Sequence, residues 1–247
     1  LMPPFGWDSL RDQTHTVMVT AMTMGLWWAV LRQVQKPQAV NFVLIGLFCG
    51  LGMLSKYSYA MLIGALFLAS MTVAQVRRAI FASGWWLAPL VGLLVFAPHG
   101  FWLASHWGMA TTETVQKMSI STEASYLTGL GNLLKALLST LGLWLIAALV
   151  SYRSRLWKPG TKASLPGQVW AWPLLRNYLL IIAICLMAMV LAADVTDFKQ
   201  RWMLPLMAIA PLALYVWRPT LLEQGLGRMF TTFVVVFALI FLIMATL

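Results

Sequence analysis

Long runs of apolar residues alternate with short polar segments along almost the whole chain. A run of about 17–25 apolar residues is long enough to cross the hydrocarbon core of a bilayer as one α-helix. Runs of this length, or slightly shorter, predict eight membrane spans: residues 15–33, 39–54, 59–75, 84–103, 128–151, 176–193, 202–217 and 230–247. The pattern therefore predicts an all-α fold, a polytopic transmembrane helix bundle in which residues 1–247 form a single transmembrane domain.

Composition supports a membrane protein, because 61% of the residues are hydrophobic and only 10% are charged, whereas soluble domains carry about a quarter charged residues. The net charge of +10 comes from cations scattered between apolar runs, so we expect no nucleic-acid partner. Cys49 and Cys185 both fall inside apolar runs, which argues against a disulfide or a zinc site. The sequence contains no metal-binding or nucleotide-binding motif, and we predict neither a metal nor a cofactor.

The distribution of charge predicts which end of each helix faces the cytoplasm. Most of the Lys and Arg residues lie in alternate connections, and by the positive-inside rule these connections are cytoplasmic. Every acidic residue except Glu223 then lies at the extracytoplasmic end, as do all three histidines. We therefore expect any chemistry to take place at the extracytoplasmic end.

Three polar groups at this end are candidates for a functional site, and His99 is a further candidate near the outer end of the fourth span. The groups are Asp8, Arg11, Asp12 and His15 before the first span; Lys56 and Tyr57 in a tight turn; and Asp194, Asp197, Lys199 and Arg201 in a late loop. Each group also has an explanation without a functional role. The first group can cap the start of a helix, and Lys56 can extend to the lipid headgroups. The charges of the late loop can pair with one another.

Four motifs resemble the membrane glycosyltransferases of the protein O-mannosyltransferase and lipid A aminoarabinose transferase kind, which have the GT-C fold. The first motif runs from Gly46-Leu47 to Ser55-Lys56-Tyr57, and the second is Pro98-His99 followed by Trp102. The third is Lys199-Gln200-Arg201-Trp202 with Pro205. In the fourth, Arg11 to Thr16, His15 occupies a position at which many members carry Asp.

The resemblance implies transfer of a sugar from a polyprenyl-phosphate donor to an acceptor lipid, glycan or protein at the extracytoplasmic face. It singles out Lys56, Tyr57, Lys199 and Arg201 as donor-phosphate ligands, with Arg11, His15, His99, Asp194 and Asp197 as other residues of the cleft. The family's catalytic carboxylate lies in a loop after the first span, and we expect this chain to start several spans later. Asp8 and Asp12 are the remaining candidates, so the catalytic residue is not identified.

Two other functions remain open on the sequence alone: a secondary transporter, and a non-catalytic subunit that binds polyprenyl lipid. Transporters place ionisable groups near the bilayer midplane, whereas here only Lys135 lies within a predicted span. The expected location in each case is a membrane, and for the glycosyltransferase it is the bacterial inner membrane.

Overall fold

The computed structural model describes residues 15–108, 126–156, 168–223 and 226–246. These residues form helices and contain no strand, which confirms the predicted all-α class. The helices are α1 (His15–Gln35), α2 (Ala39–Ser55), α3 (Tyr59–Thr72), α4 (Ala74–Ile80), α5 (Leu87–Ser105), α6 (Tyr126–Leu156), α7 (Gln168–Ala192), α8 (Gln200–Met207), α9 (Ala210–Trp217), α10 (Thr220–Glu223) and α11 (Leu226–Thr246).

The predicted count of eight spans is not confirmed. Four of the described helices, α1, α5, α6 and α7, are long and apolar enough to cross a membrane, and the bent pair α3 and α4 brings the number to at most five. The apolar run at 59–75 contains a bend of 118° between α3 and α4, and the run at 202–217 is divided into α8 and α9. Hydropathy counts apolar residues but does not register such breaks in the helix axis.

Small residues allow α2 and α5 to approach each other closely. A Cβ atom added to Gly46 would collide with the backbone oxygen of Ala88, and one added to Gly50 would lie 2.7 Å from the Cβ of Val95. On the facing helix, Gly92 is less tightly confined, since its added Cβ would lie 3.3 Å from the backbone oxygen of Gly46. Gly46 and Gly50 thus form the small-xxx-small spacing that favours close packing of membrane helices.

The main core lies among α1, α3, α7 and α8. Trp27 of α1 and Tyr178 of α7 pack edge to face with ring centroids 5.0 Å apart, and the Tyr178 hydroxyl donates to the backbone oxygen of Leu206 in α8 over 3.0 Å. This bond satisfies a fully buried hydroxyl that would otherwise destabilise the core. It also joins α8 to the helices on which the candidate site depends.

A buried amide cluster fixes the opposite, predicted cytoplasmic end of the bundle. Gln33 and Asn41 are both completely buried. The Gln33 side chain donates to the backbone oxygen of Ala79 at 2.9 Å and accepts from the Asn41 amide at 3.1 Å. These bonds tie the end of α1 to the start of α2 and to α4.

We predict that Gly46→Ala destabilises the protein, whereas Gly64→Ala does not. Both glycines lie inside helices, but an added Cβ at Gly64 meets nothing within 4 Å. Overpacking at a close contact typically costs about 1–3 kcal/mol, so thermal unfolding in detergent should show a lower midpoint for Gly46→Ala alone. Equal midpoints for the two variants would contradict the close approach of α2 and α5.

Candidate functional site

The turn between α2 and α3 holds Lys56 in a fixed backbone position. The Lys56 N–H donates to the backbone oxygen of Gly52, and the Tyr59 N–H donates to the backbone oxygen of Lys56, each at 3.0 Å. Lys56 has an extended backbone conformation (φ −160°), which ends α2. Position 52 requires glycine, because the ring of Tyr59 fills the space that a Cβ atom at this position would occupy.

The Lys56 side chain reaches the start of α1. Its Nζ donates to the hydroxyl of Thr16 over 3.1 Å, and Thr16 is itself buried in the first turn of the helix. Partial burial lowers the pKa of Lys56, and the positive charge of Arg201 lowers it further. The charge of Arg201 thus reaches Lys56 electrostatically, as a smaller influence than burial.

The position of Arg201 follows from the packing of α8. This short helix begins at Gln200 and packs against both α1 and α6. The Gln200 side chain donates to the backbone oxygen of Ser139 in α6 over 3.2 Å. These contacts hold α8, whose first turn contains Arg201, against α1, the helix that also carries Thr16.

The loop before α8 pairs its own charges. Lys199 Nζ lies 3.3 Å from a carboxylate oxygen of Asp197, as the structural alternative for this loop predicted. Asn132 of α6 donates to the backbone oxygen of Thr196 over 2.8 Å, and this bond anchors the loop. Asp194 is exposed and has a positive φ of 48°, a conformation that Asp adopts more readily than most residues. With Lys199 already paired, Arg201 is the more available cation of the two.

Tyr57 and His99 meet at the outer end of the α2–α5 pair. The Tyr57 hydroxyl lies 2.6 Å from His99 Nε2, and the two rings are stacked with centroids 5.7 Å apart. The stack continues along α5 from His99 to Trp102 at 5.5 Å and from Trp102 to His106 at 4.8 Å. Trp102 thus links His99 to His106 along α5 and remains partly exposed.

The structure thus brings together several residues that are far apart in the sequence. Arg201 influences the charge of Lys56, Tyr57 contacts His99, and His15 is exposed at the first position of α1, next to Thr16. Asp197 and Lys199 pair with each other in the loop that leads into α8, and Asp194 is exposed in the same loop. The candidates Asp8, Arg11 and Asp12 lie outside the described residues.

The sequence analysis did not identify two residues that position the site. Thr16 holds the Lys56 side chain, and Asn132 anchors the loop before α8. The only signal for Thr16 was its position directly after His15 in the fourth motif. A lone Asn within an apolar run gave no indication of its partner.

The neighbouring cations are suited to an anion with several oxygen atoms. An arginine guanidinium presents a planar set of donors that matches phosphate or carboxylate, and a lysine adds a compact charge. Bringing two cations together in a partly desolvated place is unfavourable without a counter-charge. The arrangement therefore favours binding of a phosphate or a carboxylate between Lys56 and Arg201.

Comparison with known proteins agrees with the motifs. Residues 2–102 match the sequence profile of the family described as dolichyl-phosphate-mannose-protein mannosyltransferase, a segment that includes Lys56, Tyr57 and His99. The chain is 29% identical over 215 residues to the lipopolysaccharide core galacturonosyltransferase RgtB of Rhizobium johnstonii. It is 24% identical over 211 residues to RgtA of the same organism.

The chain is similar to glycosyltransferases over most of its length. The resemblance predicted from the four motifs is thereby confirmed. Each of the two alignments covers 85% of this chain but only 42% of the relative, so the chain spans less than half the length of the curated relatives that it matches. No solved structure matches it.

We predict that Arg201→Gln raises the pKa of Lys56. Removing the nearby positive charge leaves burial as the remaining cause of the lowered value, so the pKa should move toward the ordinary value of about 10.4. NMR titration of the protein with isotope-labelled, dimethylated lysines measures this shift. Arg32→Gln, at the opposite end of α1, is the matched control and should leave the titration of Lys56 unchanged. An unchanged titration in Arg201→Gln would show that the two side chains are not neighbours.

Proposed function

We propose that the full-length protein is a membrane glycosyltransferase that moves a sugar from a polyprenyl-phosphate donor to an acceptor at the extracytoplasmic face. The observation that carries the proposal is that Lys56 bonds to Thr16 of α1, the helix against which α8, the helix of Arg201, also packs. A sugar that leaves a lipid phosphate increases the negative charge on that phosphate. Preorganised cations stabilise such charge most strongly where water is partly excluded, and Lys56 is in such a position.

Each residue of the rim has a distinct role in this proposal. Arg201 and Lys56 bind the donor phosphate, and Thr16 orients the Lys56 side chain through its hydroxyl. The Tyr57–His99 pair fixes the outer end of α5 against the turn that carries Lys56. Lys199, which the sequence also suggested as a phosphate ligand, acts indirectly by pairing with Asp197 and holding the loop before α8.

A carboxylate is needed to accept the proton of the acceptor hydroxyl while the sugar is transferred. We infer that it belongs to a part of the full-length protein that lies outside the described residues. His15 precedes Thr16, the residue that bonds to Lys56. In the resembling family many members carry Asp at this position. A histidine cannot supply the permanent negative charge of that Asp.

The names of the curated relatives suggest a more specific reaction. RgtB and RgtA are described as galacturonosyltransferases that act on lipopolysaccharide core. A uronic acid carries a carboxylate in addition to the donor phosphate, and the planar donors of Arg201 suit either group. We therefore propose a uronic acid as the sugar to test first and a lipopolysaccharide core as the acceptor.

A transporter is a weaker proposal for this arrangement. The neighbouring cations Lys56 and Arg201 lie at the ends of α2 and α8, not at the middle of a long helix, and the similar proteins are transferases. A non-catalytic subunit that binds polyprenyl lipid would need the same phosphate site. A turnover assay distinguishes it from the glycosyltransferase, because only the enzyme transfers sugar.

We predict that Lys56→Ala and Arg201→Ala in the full-length protein each reduce sugar transfer at least about a hundredfold, the size of effect seen when one charge-stabilising group is removed. Transfer of radiolabelled sugar from the lipid carrier to the acceptor measures the effect. Lys56→Arg keeps the charge and should retain part of the activity.

Arg32→Ala is the control for this experiment, because it removes a cation from the opposite end of α1. Expression level and thermal unfolding of each variant in detergent exclude misfolding as the cause of a loss. Transfer near the wild-type rate in both Lys56→Ala and Arg201→Ala would refute the assignment of the phosphate site.

A further inference from the structure

Two arginines from different helices are tied to consecutive residues at the predicted cytoplasmic end of α3. Arg77 of α4 donates from Nη1 to the backbone oxygen of Met71 over 3.1 Å. From α7, the Asn177 amide donates to the hydroxyl of Thr72 over 2.8 Å. The amide oxygen of Asn177 accepts from Arg176 Nε over 3.1 Å. These bonds bring both guanidinium groups to the last turn of one helix.

The helix that carries Arg77 is held firmly against the bundle. The axis of α4 turns by 118° from that of α3. Val76 and Ala79 are three residues apart, so they share a face of α4, and both are buried. The backbone oxygen of Ala79 accepts a hydrogen bond from Gln33 of α1, whereas Arg77 is exposed. The place from which Arg77 extends is therefore fixed by the packing of α4.

Both arginines keep most of their hydrogen-bonding capacity. A guanidinium has five N–H donors, and the bonds of Arg77 to Met71 and of Arg176 to Asn177 use one each. Both arginines are exposed, and no carboxylate among the described side chains forms an ion pair with either of them. Guanidinium groups bind phosphate through parallel hydrogen bonds, so this pair is suited to a phosphate group.

Exposed apolar residues continue from the arginines along α3 and α7. Leu180 and Ile184 follow Arg176 at intervals of four residues, which places them on the same face of α7, and they are 54% and 67% exposed. On α3, Leu68 precedes Thr72 by four residues and is 53% exposed. Leu180 and Leu68 thus lie about 6 Å further along their helices, and Ile184 about 12 Å. A molecule with an anionic group and apolar chains would meet complementary surfaces here.

A pair of tryptophans indicates that the arginines lie at the boundary between bilayer and water. Trp172 precedes Arg176 by one turn of α7 and stacks on Trp217 with ring centroids 6.1 Å apart. The guanidinium of Arg218 lies over the Trp217 ring, 4.7 Å from its centroid. Tryptophan is enriched at this boundary in membrane proteins, which is also the depth of the lipid phosphates. The apolar residues beyond Arg176 are then at the depth of the acyl chains.

We propose that Arg77 and Arg176 bind the phosphate of an anionic phospholipid whose acyl chains lie along α3 and α7. The apolar residues that begin one turn from the arginines favour a whole lipid over free phosphate. A zwitterionic headgroup is disfavoured, because its amine would bring another positive charge to a place that already holds two. The site is separated from the Lys56 turn by the length of α3, about 20 Å, and the inference does not rest on the proposed sugar transfer.

The central test measures lipid binding to the full-length protein by native mass spectrometry in detergent. Dioleoyl phosphatidylglycerol and dioleoyl phosphatidylcholine are the competing probes, since they share chains and phosphate and only the first has a net charge. The wild type should retain phosphatidylglycerol preferentially. Arg77→Gln/Arg176→Gln should weaken this binding at least about tenfold, because two cations at the membrane surface are lost.

The matched control is Arg32→Gln/Lys36→Gln, which removes two exposed cations from the same end of the bundle. It should bind phosphatidylglycerol as the wild type does. Equal losses in the two double variants, or equal retention of the two lipids by the wild type, would overturn the proposal.

A variant of Asn177 distinguishes a defined site from general attraction to a basic surface. Asn177→Ala keeps every charge but removes the amide that joins Arg176 to Thr72, so binding of phosphatidylglycerol should fall several-fold. Gln75→Ala removes an exposed amide from α4 and should have no effect. Wild-type binding by Asn177→Ala would refute the proposal, and this comparison decides the matter if the double arginine variant does not fold.

Competition with salts separates a lipid from free phosphate. Sodium phosphate should displace phosphatidylglycerol no better than sodium chloride at equal ionic strength, because it has no acyl chains. Selective displacement by phosphate would indicate a site for an inorganic anion and overturn the assignment of the ligand. Phosphatidylglycerol should also raise the thermal unfolding midpoint of the wild type but not of Arg77→Gln/Arg176→Gln, since a ligand that binds only the folded state stabilises it.

Discussion

The Lys56 side chain is partly removed from water and bonds to Thr16 at the start of α1. Burial lowers the pKa of Lys56, and the positive charge of Arg201 lowers it further. Both effects disfavour the charged lysine, because charges are less well solvated and repel more strongly as the surrounding dielectric falls. An anion bound between the two side chains relieves the repulsion, and the proposed function follows from that requirement.

Helix α1 is the common support for both charges. Thr16 in its first turn bonds to Lys56, and α8, the helix that contains Arg201, packs against it. At the other end, Gln33 connects α1 to α4 through a buried hydrogen bond. The helix is thus fixed at both ends, which allows residues from distant parts of the sequence to be held in one geometry. Preorganisation of this kind is what an electrostatic site needs.

The close contact of α2 and α5 serves the same site in a different way. The glycines at the interface bring the helix backbones together, and this approach places His99 within hydrogen-bond distance of Tyr57. An apolar cavity of about 610 Å³, lined by residues of α1 to α5, lies beside this contact. A polar rim above an apolar space has the chemical profile of a lipid phosphate, so packing and electrostatics favour the same class of ligand.

The sequence by itself determined the helical membrane class, the resemblance to GT-C glycosyltransferases and the candidates Lys56, Tyr57, His99 and Arg201, because hydropathy and short motifs are local properties. It did not determine the number of spans, since a bend after Thr72 and the break between α8 and α9 leave the apolar pattern unchanged. Only the tertiary structure decided that Arg201 lies beside Lys56 and that Lys199 pairs with Asp197. Those pairings depend on how α8 packs against α1 and α6, and packing between distant helices leaves no periodic signal in the sequence.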